Sequence, residues 1–112
     1  MAEKPYRCRP SLNKSIVVGS KLADLDGTFL QFFNINDHTF VHSREVLQKV
    51  DQYCARLTAL SPSLIVIFGA SRFLVFDIEA YKVVQEVPVE GFIENADAKM
   101  GYVYTLTTEE DG

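Results

Sequence analysis

The residues of this chain best suited to metal chemistry are its two histidines. His38 and His42 stand four positions apart, a spacing that would place both on one face of a helix. They lie in NDHTFVHS, however, which has the residue types of a turn followed by a strand, and Asp37 is the nearby carboxylate. Because zinc in proteins takes three or four ligands, we expect two surface histidines here and no metal site.

Other reactive or ligand-forming residues also lack the partners that chemistry needs. Cys8 and Cys54 are too few for a disulfide framework or a structural zinc, and no histidine stands beside Cys54 to activate it. Asp24, Asp26 and Gly27 resemble the start of a calcium loop, but the required ligands do not follow, so a hairpin loop is expected. FGAS lacks the glycine spacing and the lysine of a phosphate loop. We therefore expect no catalytic residue and no cofactor.

Composition indicates one ordinary domain with a packed core. The chain has 112 residues, of which 47% are hydrophobic, and its eight Phe and five Tyr favour strands. A net charge of −4 opposes nucleic-acid binding, and the basic residues Lys4, Arg7, Arg9 and Lys14 are typical of a solvated segment. No apolar run has the length of a membrane span, and the first residues lack a signal-peptide core. These features predict a cytoplasmic or nuclear protein.

Two stretches of the chain repeat each other. A shift that places Thr28 on Ser71 also aligns an aromatic residue, an amide or carboxylate, and an isoleucine in the same order. The matched positions are Phe33, Asn34 and Ile35 in the first copy, and Phe76, Asp77 and Ile78 in the second. Repetition at this period predicts units that bury their faces against one another. We divide the chain into a first unit at 1–45, a second at 46–89 and the start of a third at 90–112.

Each unit reads as short strands joined by turns. The second has apolar runs at 63–70, 72–78 and 83–89, and the continuous run within the first of these predicts burial on both faces. The first unit has strands at 15–20, 28–35 and 39–43, with the polar segment KLADLDG expected as a loop at 21–27. The third has FIENADA, a turn, and YVYTLT, so that Tyr102 corresponds to Leu64.

The segment 43–62 has two interpretations. Apolar residues at spacings of three and four, with Ser43 as a helix cap and Pro62 as a stop, predict an amphipathic helix over 43–60. The repeat instead favours a short helix over 44–53 followed by a strand over about 54–60.

With these units in place, the chain resembles the WD-repeat family of β-propellers over roughly residues 15–107. LVFDIEAYKVV is similar to that family's strand, Trp-Asp and outer strand, with Phe76-Asp77 standing for Trp-Asp and Phe33-Asn34 doing so in the first copy. The resemblance implies antiparallel four-stranded blades that form a non-catalytic platform for other proteins. The family's Gly-His pair is absent, which leaves blade packing to apolar contacts, with Phe33 and Phe76 as the principal fillers.

About two and a half blades cannot close a ring, because propellers need at least four. We therefore expect a protein-protein interaction scaffold that is part of a longer propeller, pairs with a chain that completes it, or self-associates. The alternative is a small α+β domain, in which a helix over 43–60 covers one antiparallel sheet as in roadblock-like or longin-like dimerisation and trafficking modules. Helix content distinguishes the two.

Overall fold

The computed structural model describes residues 14–53, 55–99 and 101–108, and within them the chain is mostly β. Its strands form antiparallel sheets in chain order, two of four strands and one of two. The first sheet contains β1 (Ser15–Val18), β2 (Lys21–Asp26), β3 (Phe29–Asn34) and β4 (Phe40–Glu45). The second contains β5 (Arg56–Ser61), β6 (Leu64–Phe68), β7 (Arg72–Asp77) and β8 (Lys82–Pro88). The third contains β9 (Phe92–Lys99) and β10 (Tyr102–Thr108).

Apolar side chains fill the space between successive sheets. Between the first and second sheets, the rings of Phe32 and Phe76 stack with centroids 5.6 Å apart, and both side chains are fully buried. Between the second and third sheets, Val66 and Phe68 pack with Ile93. The second sheet is therefore covered on both faces, which confirms the burial that the continuous apolar run of β6 predicts.

The two four-stranded sheets share the same backbone register. In each, the ladder between the third and fourth strands shifts by one residue, after Phe32 in the first sheet and after Val75 in the second. The amide of the isoleucine that follows the third strand donates to a serine carbonyl at 3.0 Å in both, from Ile35 to Ser20 and from Ile78 to Ser63. The alignment that places Thr28 on Ser71 thus also relates the hydrogen bonds of the two sheets.

The turns between the third and fourth strands repeat as well. His38 and Tyr81 hold matching positions and both have a left-handed backbone, with φ of 62° and 54°. Such a conformation is uncommon outside glycine, so its occurrence at both positions indicates one turn geometry used twice.

The predicted polar loop at 21–27 is wrong, because Lys21–Asp26 forms β2. Ala23 and Leu25 face the second sheet and are buried, while Asp24 and Asp26 point to the opposite face. This alternation is the pattern of a strand covered on one face only. The four strands of the first sheet therefore match the four of the second.

Of the two interpretations of 43–62, the helix over 43–60 is wrong. The short helix followed by a strand is closer to the structure, although the helix is 3-10 and begins later than the predicted 44–53. β4 continues to Glu45, a 3-10 helix spans Lys49–Tyr53, and β5 begins at Arg56. Leu57 pairs with Ile67 of β6 and is 2% exposed, so sheet pairing and burial outweigh the local helical pattern. The alternative of one long helix on a single sheet is thereby contradicted.

Some sequence predictions concern residues outside the described ranges. These are Cys8, Cys54 and the basic side chains of Lys4, Arg7 and Arg9. In the ranges that are described, no helix is long and apolar enough to cross a membrane.

Candidate interaction surfaces

The connection between the first two sheets is held by a buried carboxylate, Asp51, in the 3-10 helix. It is 2% exposed and accepts hydrogen bonds from the amides of Ala70 at 3.0 Å and Gln48 at 3.1 Å. Arg72, at the start of β7, donates from Nη2 to Oδ2 of Asp51 at 3.0 Å and also pairs with Glu86. These contacts join the segment after β4 to the turn between β6 and β7.

Arg72 pairs with two carboxylates, those of Asp51 and Glu86. Partial burial lowers the pKa of the Arg72 guanidinium, but the hydrogen bonds and negative charges of Glu86 and Asp51 outweigh it, so the pKa lies above its ordinary value. Both carboxylate oxygens of Asp51 accept hydrogen bonds from other residues of the protein. The cluster is therefore a clamp that fixes the connection between the first two sheets to the second sheet, and no local sequence motif identifies it.

The two histidines have separate surroundings. His38 is exposed in the turn before β4, whereas His42 lies on β4 with its ring centroid 4.6 Å from that of Tyr81. The Nε2 atom of His42 is buried and has no hydrogen-bond partner among the described residues. Across the described ranges, no group of three or more His, Cys, Asp or Glu residues could hold a metal ion.

An apolar row crosses all four strands on the outer face of the first sheet. Successive cross-strand partners are Val17, Leu22, Phe33 and Phe40, and the rings of Phe33 and Phe40 meet edge to face at 5.9 Å. Val17 is 56% exposed and Phe40 is 58% exposed. No described strand covers this row, which we call the outer row.

Polar residues occupy the next positions on the same face. Ser15, Asp24, Gln31 and Ser43 are successive cross-strand partners, and Ser15 donates its hydroxyl to Asp24 at 2.6 Å. The outer face of the first sheet is thus apolar near Gly19 and polar in the next row, and at the far end Phe29 is exposed between Asp26 and Glu45.

Phe33 and Phe76 hold the same register position but have different environments. Phe76 faces the first sheet and is fully buried, whereas Phe33 lies in the outer row and is only half-buried. The residue that packs against Phe76 is Phe32. Gln31 beside Phe33 could have indicated this, because a polar residue on the same face of a strand marks the less covered side.

The remaining repeat positions lie at the turns. Asn34 donates its side-chain amide to the hydroxyl of Thr39 at 2.9 Å, while Asp77 accepts from the amides of Glu79 and Ala80. Such side-chain bonds favour tight turns. Ile35 is 37% exposed, whereas Ile78 packs against the core between the first and second sheets.

The outer face of the third sheet is apolar along β10 and polar along β9, where the partners of the β10 residues are Asn95, Asp97 and Lys99. Tyr102, Tyr104 and Leu106 project from one side of β10 and are 67%, 57% and 59% exposed. Their counterparts in β6 are Leu64, Val66 and Phe68, of which the last two are fully buried. The stack of sheets therefore presents large apolar side chains at both ends of its described part.

Comparisons with known proteins leave these surfaces without an assigned role. No protein-family model matches the chain, and a search of curated proteins finds no match to it.

Proposed function

We propose that the chain is a non-catalytic protein-protein interaction scaffold made of WD-repeat-like propeller blades, in the cytoplasm or nucleus. In this proposal it is part of, or partner to, a larger β-propeller assembly. The outer row supports the proposal most directly. Three residues of the outer row have equivalents in the second sheet that pack against a neighbouring sheet. The equivalent pairs are Leu22 and Ile65, Phe33 and Phe76, and Phe40 and Val83.

The free energy available at the outer row is large for a chain of this size. Full burial of one large apolar side chain contributes about 1.5 to 3 kcal/mol. Covering the exposed parts of Val17 and Phe40 alone therefore gains a substantial fraction of the ~5 to 15 kcal/mol by which small domains are stable. A partner that covers this face would stabilise both itself and the scaffold.

The partner surface that fits is another antiparallel sheet with an apolar face. The interface between the first and second sheets supplies the example, because Leu30 and Phe32 there cover a row equivalent to the outer row. Sheets pack face to face about 10 Å apart, and an apolar row across four strands suits such packing. The roadblock-like or longin-like alternative depends on a long helix, and no described segment supplies one.

A paired substitution tests the proposal on the full chain. Replacing both Val17 and Phe40 by Ser removes the exposed side chains of the outer row, while Val84→Ser, on β8 at 47% exposure, is the matched control. We expect the double variant to bind less of the apolar dye ANS and to associate less in light scattering, and the control to behave as the unmodified chain. Equal dye binding and equal mass in all three proteins would refute the proposal.

A further inference from the structure

Strands at the edges of sheets normally carry features that prevent pairing with other chains, such as charges, proline or short length. In this structure β4 has Arg44 and Glu45, and β8 has Lys82 and Pro88. β5 begins with Arg56, β9 contains charged residues, and β1 has only four residues. Five of the six edge strands of the described sheets are therefore protected.

β10 is the exception. Its sequence, YVYTLTT, contains no charge and no proline over seven residues, and β9 pairs with it on one side only. The first and second sheets each have four strands, whereas the third has two among the described residues. The other edge of β10 therefore leaves backbone donors and acceptors without a described partner.

Comparison with β6 identifies which backbone groups face this edge. β10 is the equivalent of β6, because each follows a hairpin whose closing pair is matched in the other. These pairs are Ser61 with Leu64 and Lys99 with Tyr102. Because antiparallel hydrogen bonds alternate along a strand, the pairing of Tyr102 with β9 leaves Val103 and Thr105 directed outwards. In β6 the corresponding positions face β7.

In the second sheet, β7 pairs with the edge of β6 that is equivalent to the open edge of β10. The amide of Gly69 donates to Arg72 at 2.8 Å and that of Ile78 donates to Ser63 at 3.0 Å, which fixes the alternation between β6 and β7. It follows that the amides of Leu74 and Phe76 point to β6, and those of Phe73 and Val75 point away. β7 therefore shows both the backbone pattern and the apolar side chains that suit an edge of this kind.

We propose that the open edge of β10 binds an extended segment of a partner protein as an antiparallel strand. The segment has large apolar side chains at successive positions, as β7 does, and no charge at its centre. Strand addition of this kind takes its affinity from main-chain hydrogen bonds and its specificity from alternate side chains. The edge is separate from the outer row, so this proposal and the proposed function depend on different measurements.

The test uses the full chain and a synthetic peptide with the sequence of residues 71–79. One peptide is N-methylated at the positions of Leu74 and Phe76, which blocks the bonds to β10, and the matched control is N-methylated at those of Phe73 and Val75. We expect the unmodified and control peptides to bind in fluorescence anisotropy, and the blocked peptide to bind at least about tenfold more weakly, since two hydrogen bonds are lost. Hydrogen exchange at Val103 and Thr105 should slow when peptide is bound.

A variant of the chain provides a second measurement. Thr105→Pro removes an outward amide and leaves the ladder to β9 in place, because proline is tolerated where the amide faces away from the sheet. Thr105→Val keeps the amide and is its control. We expect Thr105→Pro to weaken peptide binding severalfold and Thr105→Val to leave it unchanged.

Several results would overturn the proposal. Equal binding of the two N-methylated peptides, or no binding of the unmodified peptide, would show that the edge does not accept such a strand. Slow exchange of Val103 and Thr105 in the peptide-free monomer would show that the edge is already occupied within the chain. A dimer that Thr105→Pro dissociates, without peptide binding, would assign the edge to a second copy instead.

Discussion

Replacing Asp51 by Ala is expected to destabilise the fold more than its small size suggests. The substitution leaves the buried amide of Ala70 and the half-buried amide of Gln48 without an acceptor, and it removes one of the two anions that neutralise Arg72. Breaking a buried ion pair in this way costs about 3 to 5 kcal/mol. Because Arg72 keeps Glu86, we expect about 3 kcal/mol, the lower end of this range.

Urea unfolding followed by circular dichroism measures this loss, with all proteins at one concentration. For an m-value of ~1 to 3 kcal/mol per M, the midpoint should fall by about 1 to 3 M. Glu79→Ala, in an exposed turn with no described side-chain hydrogen bond, should stay within about 0.5 kcal/mol of the unmodified chain. If Asp51→Ala costs no more than Glu79→Ala, the clamp does not stabilise the fold.

Gly69 gives an independent check on the same clamp. A Cβ atom at Gly69 would overlap the carboxylate of Asp51, so Gly69→Ala alone should destabilise by about 1 to 3 kcal/mol. In the Asp51→Ala background the carboxylate is gone and only the close approach to the Cβ of residue 51, at 3.0 Å, remains. The added cost of Gly69→Ala should therefore be smaller by at least about 1 kcal/mol. Additive costs in a double-mutant cycle would contradict the contact.

Two further predictions concern the repeat positions and the turn before β4. Phe76→Ala should cost about 3 to 5 kcal/mol in the same unfolding assay, whereas Phe33→Ala should cost less than about 1.5 kcal/mol because its ring is half-buried; equal costs would contradict their different environments. Donation from the amide and hydroxyl of Thr39 holds the pKa of Asp37 below its ordinary value of 3.8. The resulting stabilisation exists above the unfolded pKa and disappears as pH falls through the folded pKa. Thr39→Val should raise the pKa of Asp37 in an NMR titration. An unchanged pKa would show that the Thr39 hydroxyl does not stabilise the Asp37 carboxylate.

Much of the sheet pattern could be predicted because it depends on local alternation and composition. The run of β6 is apolar at every position, and a strand with no polar face must be covered on both sides. The repeat between Phe33-Asn34 and Phe76-Asp77 reflects a shared backbone, because Ile35 and Ile78 make equivalent main-chain bonds. The side chains of Asn34 and Asp77 form different hydrogen bonds in the two turns.

The errors came from places where long-range packing decides. In β2 the acidic residues Asp24 and Asp26 resemble a loop, but they occupy the uncovered face of a strand. The helical spacing around Leu57 is outweighed by pairing with β6, which lies later in the chain. Asp51 could not be identified from sequence, because its partners Ala70 and Arg72 lie 19 and 21 residues away and are brought to it by the fold of the second sheet.

The most direct test of the open stack is the mass of the full chain in sedimentation velocity over a wide concentration range, with calorimetry in parallel. Because large apolar side chains lie uncovered at both ends of the stack, we predict that the average mass rises above that of one chain as concentration increases. A single-chain mass throughout, with one cooperative calorimetric transition, would contradict the claim that these faces need an external partner.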